Sequence, residues 1–260
     1  MRLKVAIVQG APSTCDKEEN LKFMESKIRR SEAELIVFPE LFLTGYECDD
    51  RFSELAEPLE GESMSRITKL AQSKNCYVIF GMPELAGKSV YNSSVLATCE
   101  GLAKSYRKIH LPHFWKFKEK SYFREGKDPV IANTKFGKLG MMICYDLFFP
   151  ELAKFYALKG ANIIICISAA PVQSQRYFEV LTQARALENT VFLVYANLVS
   201  REKKLTFWGG SRVINPLGKL IATAGGKPCV LECVLDLAEV KSARKQRPVL
   251  RDTKLSFFHA

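Results

Sequence analysis

Short apolar runs recur along the chain and stop abruptly at Pro, Gly or a polar residue. They cover residues 4–9, 35–38, 76–81, 138–143, 161–167 and 191–196. Runs this short, rich in Val, Ile and Phe, read as buried strands. Helical patterns lie between them. Residues 16–30 place Leu21, Met24 and Ile28 on one face, and Asp16 with Glu19 forms a capping-box-like start. Residues 62–74 turn Met64, Ile67, Leu70 and Ala71 inward. Residues 179–188 place Val180, Leu181, Ala184 and Leu187 on one face. Residues 90–99 and 101–106 suggest a hairpin. Segments 206–214, 219–224 and 229–235 form a β-rich end, with Asn215-Pro216-Leu217-Gly218 as a turn. Strand–helix alternation of this kind implies one α/β domain of mixed sheets covered by helices.

The 260 residues suffice for a sizeable core. No apolar run approaches the roughly 18 residues of a membrane span. The start, Met1-Arg2-Leu3-Lys4-Val5, lacks the apolar stretch of a secretory signal, so the expected location is cytoplasmic. The eight cysteines contain no C-x-x-C pair, and neither a zinc site nor a disulfide framework is signalled. The net charge of +10 comes from Lys and Arg spread along the chain, with local groups at 104–120 and 241–254. That spread reads as a solvated surface rather than a nucleic-acid face.

Reactive side chains follow three of the strand ends. Glu40 comes directly after the 35–38 run and Pro39, at the mouth of a sheet where α/β proteins place ligands. Lys108 lies at the end of a strand entering a polar, aromatic loop. Cys144 sits where a buried strand gives way to a helix starting at Pro150, with Gly160 as its stop. A thiol at such a junction lies near backbone N–H groups and a helix N-terminus, which favour a thiolate. Each residue also has an ordinary reading: a buried structural cysteine, a helix-start carboxylate, one surface lysine among many. A Cys–His pair through His110 or His113 is an alternative, and the G-x-S-x-G of a serine hydrolase is absent.

Three motifs in order resemble the nitrilase superfamily of carbon–nitrogen hydrolases. They are Phe38-Pro39-Glu40-Leu41-Phe42 with Thr44-Gly45-Tyr46, Tyr106-Arg107-Lys108-Ile109-His110-Leu111, and the stretch from Gly140 to Glu151. The resemblance implies a four-layer α-β-β-α sandwich with two mixed β-sheets. The domain would span residues 1–240, with 241–260 as a tail packing on the body or a partner subunit. The resemblance also implies Glu40 as general base, Lys108 as oxyanion stabiliser, Cys144 as nucleophile and Glu119 as an orienting second glutamate, with Glu125 the alternative. The implied cycle is thiol attack, loss of ammonia or amine, a thioester, then water, with no metal or organic cofactor. Family members usually pair into homodimers or larger assemblies.

Cys144-Tyr145-Asp146 resembles the amidase-type branches rather than the Cys-Trp-Glu of classical nitrilases. Branches acting on ω-amidated acids carry arginine where this chain has Phe148, so an apolar or neutral acyl group is expected, unless another base such as Arg176 substitutes. Tyr46, Tyr145, Phe148, Ser168 and Ala169 are the candidate substrate-binding residues, with 168–170 lining the pocket beside the thiol. The expected activity is hydrolysis of a small-molecule amide. A true nitrilase, an N-carbamoyl hydrolase and a catalytically silent oligomeric binding protein are the rivals.

Overall fold

The computed structural model describes residues 1–254. The strands are β1 (Arg2–Gln9), β2 (Leu35–Val37), β3 (Tyr77–Ala86), β4 (Ser89–Thr98), β5 (Gly101–Arg107), β6 (Ile131–Thr134), β7 (Gly137–Ile143), β8 (Ala161–Ser168), β9 (Phe192–Asn197), β10 (Arg212–Ile214), β11 (Leu220–Thr223) and β12 (Cys229–Asp236). The helices are α1 (Lys17–Arg30), α2 (Phe52–Leu55), α3 (Glu62–Lys74), α4 (Glu119–Tyr122), α5 (Pro150–Leu158), α6 (Gln175–Asn189) and α7 (Ala238–Gln246). One mixed sheet runs β12-β1-β2-β3-β4-β5 and the other β11-β10-β9-β8-β7-β6. Helices α1 and α3 cover the first sheet and α5 and α6 the second, giving the α-β-β-α sandwich.

Strand parity sorts the core. In β1, Leu3, Val5 and Ile7 face the second sheet, while Ala6 and Val8 pack beneath α1 and α3. In β8 the whole run from Ile163 to Ile167 is buried, because parallel neighbours flank it and other layers cover both faces. Each such isoleucine contributes about 1.5–3 kcal/mol by burial. Strand order also places the ends of β2, β5, β7 and β8 at one end of the sandwich, where Glu40, Lys108, Cys144 and Ser168 sit.

The structure corrects three expectations. Helix α6 does carry Val180, Leu181, Ala184 and Leu187 together, but Val180 and Leu187 point outward, each about half exposed, and only Leu181 packs against the core. The buried face is Phe178, Thr182, Arg185, Ala186 and Asn189. Periodicity reports that an apolar stripe exists, not which surface it meets, and the inner face is polar because Arg185 Nε donates to the Leu147 carbonyl at 2.9 Å. Cys15 and Cys48 form a disulfide. They are 33 residues apart on loops brought together by a backbone bond from Cys15 to the Thr44 carbonyl, so no local spacing could signal them. In the β-rich end only Arg212–Ile214 of the 206–214 segment is strand, and β12 leaves its neighbours to pair antiparallel with β1.

Helix α7 begins before residue 240, buries Val240 and Ala243, and holds the Ala161 carbonyl through Arg244. The tail's Phe257, Phe258 and His259 lie outside the described residues. Among the described residues, no helix is long and apolar enough to cross a membrane.

Candidate active site

Glu40 leaves β2 on a tightly fixed backbone. Phe38 N–H donates to the Ile79 carbonyl at 2.8 Å, and Gly81 N–H to the Pro39 carbonyl at 3.1 Å. A Cβ on Gly81 would run into the backbone of Glu40 and Leu41, so only glycine allows this approach. Lys108 continues β5: its N–H donates to the Asn92 carbonyl and its carbonyl accepts from Gly126 N–H, both at 2.8 Å.

The Lys108 ammonium is wholly buried and bridges two carboxylates, with Nζ 2.7 Å from Glu40 Oε1 and 2.7 Å from Glu119 Oε1. Tyr46 donates its hydroxyl to Glu119 Oε1 at 2.6 Å. Asn92 Nδ2 donates to Glu40 Oε1 at 2.7 Å and reaches Glu119 Oε2 at 3.4 Å. The backbone N–H of Ala169 donates to Glu40 Oε2 at 2.7 Å. Two carboxylates and one ammonium leave a net charge of −1 in a buried site. Burial, reinforced by the Glu40 charge and opposed by Lys108, pushes the Glu119 carboxyl up to about 7. Burial alone would lower Lys108, but Glu119 and Glu40 outweigh it and hold it protonated.

Cys144 follows β7 at φ 46°, a left-handed conformation that a residue with a Cβ adopts at a cost of about 1–2 kcal/mol. Burial and the neighbouring Glu40 charge push its thiol well up, while Lys108 and a hydrogen bond from Ser168 pull the other way. The resting group is therefore a neutral thiol.

Asp146 fixes this elbow. It is fully buried, and its Oδ2 accepts from Ile143 N–H at 2.9 Å and the Tyr106 hydroxyl at 2.7 Å. Its Oδ1 accepts from His110 N–H at 3.0 Å and faces His110 Nδ1 at 2.8 Å. The residues on either side of Lys108 are thus tied to the turn that carries Cys144. The His110 ring stacks on Phe149 and is engaged by Asp146, and His113 is exposed, so neither forms the alternative Cys–His pair. Asp146→Ala leaves several buried donors unpaired and is expected to cost roughly 3 kcal/mol or more of stability. Urea unfolding measures it, and an unchanged midpoint would rule out the anchoring role.

Cys144 opens onto a pocket of about 190 Å³. Tyr145 and Phe148 border it. Tyr46, Ser168 and Ala169 do not: all three are buried in the supporting network instead. Their small size or position in sequence could not distinguish a lining residue from one behind it. Arg176 does not border the pocket either; its side chain is 82% exposed and lies near Glu179. Glu125 pairs with Lys120 on the surface, which leaves Glu119 as the glutamate beside Lys108.

Asn92 escaped the sequence reading as a site residue. The available signal was a polar Asn-Ser-Ser in the middle of a strand otherwise fit for the core. The pocket's outer wall was also missed, because it comes from the 112–117 loop and from α6, remote from the motifs.

The family model of carbon–nitrogen hydrolases matches residues 4–245. A Schizosaccharomyces pombe protein described as a probable nitrilase is 38% identical over 94% of this chain and 93% of its own. An (R)-stereoselective amidase from a Pseudomonas species is 32% identical over 97% of this chain and 92% of its own. Among solved structures, an amidase variant from a Nesterenkonia species superposes with a TM-score of 0.86 at 25% identity, over 99% of this chain and 95% of that one. That structure carries the acetamide moiety of fluoroacetamide added covalently to its active-site cysteine. With the sandwich and the buried cluster, these matches establish that the chain belongs to the carbon–nitrogen hydrolase family.

Proposed function

We propose that this hydrolase opens a small, uncharged amide through a thioester on Cys144, releasing ammonia or an amine and then a carboxylic acid. The observation that carries this reading is the buried Glu40–Lys108–Glu119 cluster next to a strained cysteine. Glu40 takes the thiol proton as sulfur attacks the carbonyl carbon. The oxyanion forms beside the Lys108 ammonium, with the Tyr145 backbone N–H as the second donor. Glu40 then returns the proton to the leaving nitrogen. The same carboxylate activates the water that attacks the thioester, and the acid leaves. Glu119 holds Lys108 at this position, with Tyr46 and Asn92 fixing the carboxylates. The amidase relative and the cysteine adduct of the Nesterenkonia enzyme support this reading.

Ammonia release from matched amides, nitriles and carbamoyl compounds tests it. Amides are expected to turn over fastest. Preference for the nitrile would favour the nitrilase reading, for the carbamoyl compound the N-carbamoyl reading, and no turnover at all the silent binding protein.

The Glu119 shift gives the reaction a pH dependence. Below about 7 the Glu119 proton makes the cluster neutral, so less negative charge is on hand to draw the thiol proton away. Deprotonation of Glu119 restores the second negative charge. The kcat/KM is therefore expected to rise through about 7 and then level. Glu119→Gln should erase that limb, and a limb unchanged in the variant would contradict the assignment. The sign for stability is opposite. A carboxyl raised above its unfolded value of 4.5 contributes stability at low pH that is lost as pH climbs to about 7.

We also propose a homodimer through the outer face of α6. Tyr177, Val180, Leu187 and, beside them, Leu217 leave an apolar patch on the surface. Light scattering should find a dimer, and Val180→Asp combined with Leu187→Asp should give monomers. A monomeric parent at micromolar concentration would exclude the interface.

A further inference from the structure

The wall of the Cys144 pocket points to the acyl group. We infer that the preferred substrate is an amide whose acyl group carries an uncharged ring, a phenyl-sized apolar group placed one or two bonds from the carbonyl. This rests on the amidase reading above and narrows it.

The pocket is bordered by Phe114, Phe117, Tyr145, Phe148, Tyr177 and Phe178, with Cys144 among them, and no charged side chain of the described residues contributes. These rings form a connected set. Phe114 and Tyr145 have centroids 5.4 Å apart, Tyr145 and Phe148 5.3 Å, and Phe148 and Phe178 5.6 Å at 82°. Tilted and edge-to-face contacts at 4.5–7 Å are the favoured arrangement of aromatic rings, and a guest ring extends the same pattern. The volume of about 190 Å³ fits as well, since an apolar cavity of about 150 Å³ accommodates benzene. A methyl-sized acyl group would leave most of this space empty. A carboxylate there would lose its hydration without gaining a cation.

The wall comes from two separate parts of the chain. Phe114 and Phe117 belong to the loop between β5 and α4, while Tyr177 and Phe178 open α6. Phe178 is buried, whereas Phe148 is 36% exposed at the mouth. Phe148 is therefore the replaceable determinant.

The test compares kcat/KM for phenylacetamide, acetamide and the monoamide of succinic acid. Phenylacetamide is expected to exceed acetamide by at least about tenfold, the discrimination available from apolar contacts, and the charged monoamide by about a hundredfold. Phe148→Ala should cut the phenylacetamide-to-acetamide ratio severalfold. Calorimetry of phenylacetamide with Cys144→Ala measures binding without turnover. Binding tighter than that of acetamide supports the inference even if no amide is hydrolysed, an outcome that would instead overturn the amidase reading. A preference for acetamide or for the charged monoamide, or equal binding of phenylacetamide and acetamide, would overturn the inference.

Discussion

Cys144→Ala is expected to abolish hydrolysis of every amide while leaving the fold intact. Losing a nucleophile removes the covalent route altogether, so the fall should be about 10⁴-fold or more. Stability should change little. The side chain is small and 7% exposed, and alanine keeps the Cβ that strains the left-handed backbone. Cys144→Gly supplies the control, because it removes that Cβ and should unfold at a higher denaturant concentration than Cys144→Ala. Ammonia release and urea unfolding, measured on both variants, decide the matter. Full activity in Cys144→Ala would end the thioester mechanism. A collapsed fold would mean that the cysteine is structural.

Lys108→Ala is expected to damage both catalysis and stability. Its ammonium is the only cation within hydrogen-bond reach of Glu40 and Glu119 among the described residues, at 2.7 Å from each. Removing it leaves two buried carboxylates facing one another, a change of the kind that costs about 3–5 kcal/mol. The carboxyls respond by binding protons more tightly, so the loss should be larger at pH 8 than at pH 6. Removing one preorganised oxyanion donor costs on the order of 10²–10³ in kcat, with KM little affected. Lys108→Met preserves more of the side-chain volume, and its agreement with Lys108→Ala would assign the effect to charge. An equal stability loss at both pH values, or a change confined to KM, would contradict this account.

Much of this was legible before any coordinates. The apolar runs predicted the strands because a strand covered on both faces needs nothing else. Asp16 marked the start of α1, and its carboxylate does accept the Glu19 N–H at 3.0 Å. Glu40 and Cys144 stood out because each lies just past a buried apolar strand, where a polar side chain has no packing role, and Lys108 because it ends a strand entering a polar loop. Glu119 was visible only through the resemblance, since its own segment is a four-residue helix in a polar loop.

The limits of the sequence lie in direction and distance. An apolar stripe on α6 has the same periodicity whether it faces the core or a partner, so Val180 and Leu187 could not reveal that they point outward. For Ser168 and Ala169, whether they line the pocket or back it depends on which way β8 turns at its end. The Cys15–Cys48 bond depends on two loops meeting, and the aromatic wall on the 112–117 loop closing against α6. Local sequence determined which elements form and which residues carry reactive groups, because propensity and burial pattern are properties of neighbouring residues. Only the tertiary structure placed one buried ammonium between Glu40 and Glu119, with Asp146 tying its strand to the cysteine turn. Those contacts span 68 and 11 residues of chain for Lys108, set by strand order within one sheet and the loop after β5, and 36 for Asp146 with His110, set by packing of the two sheets.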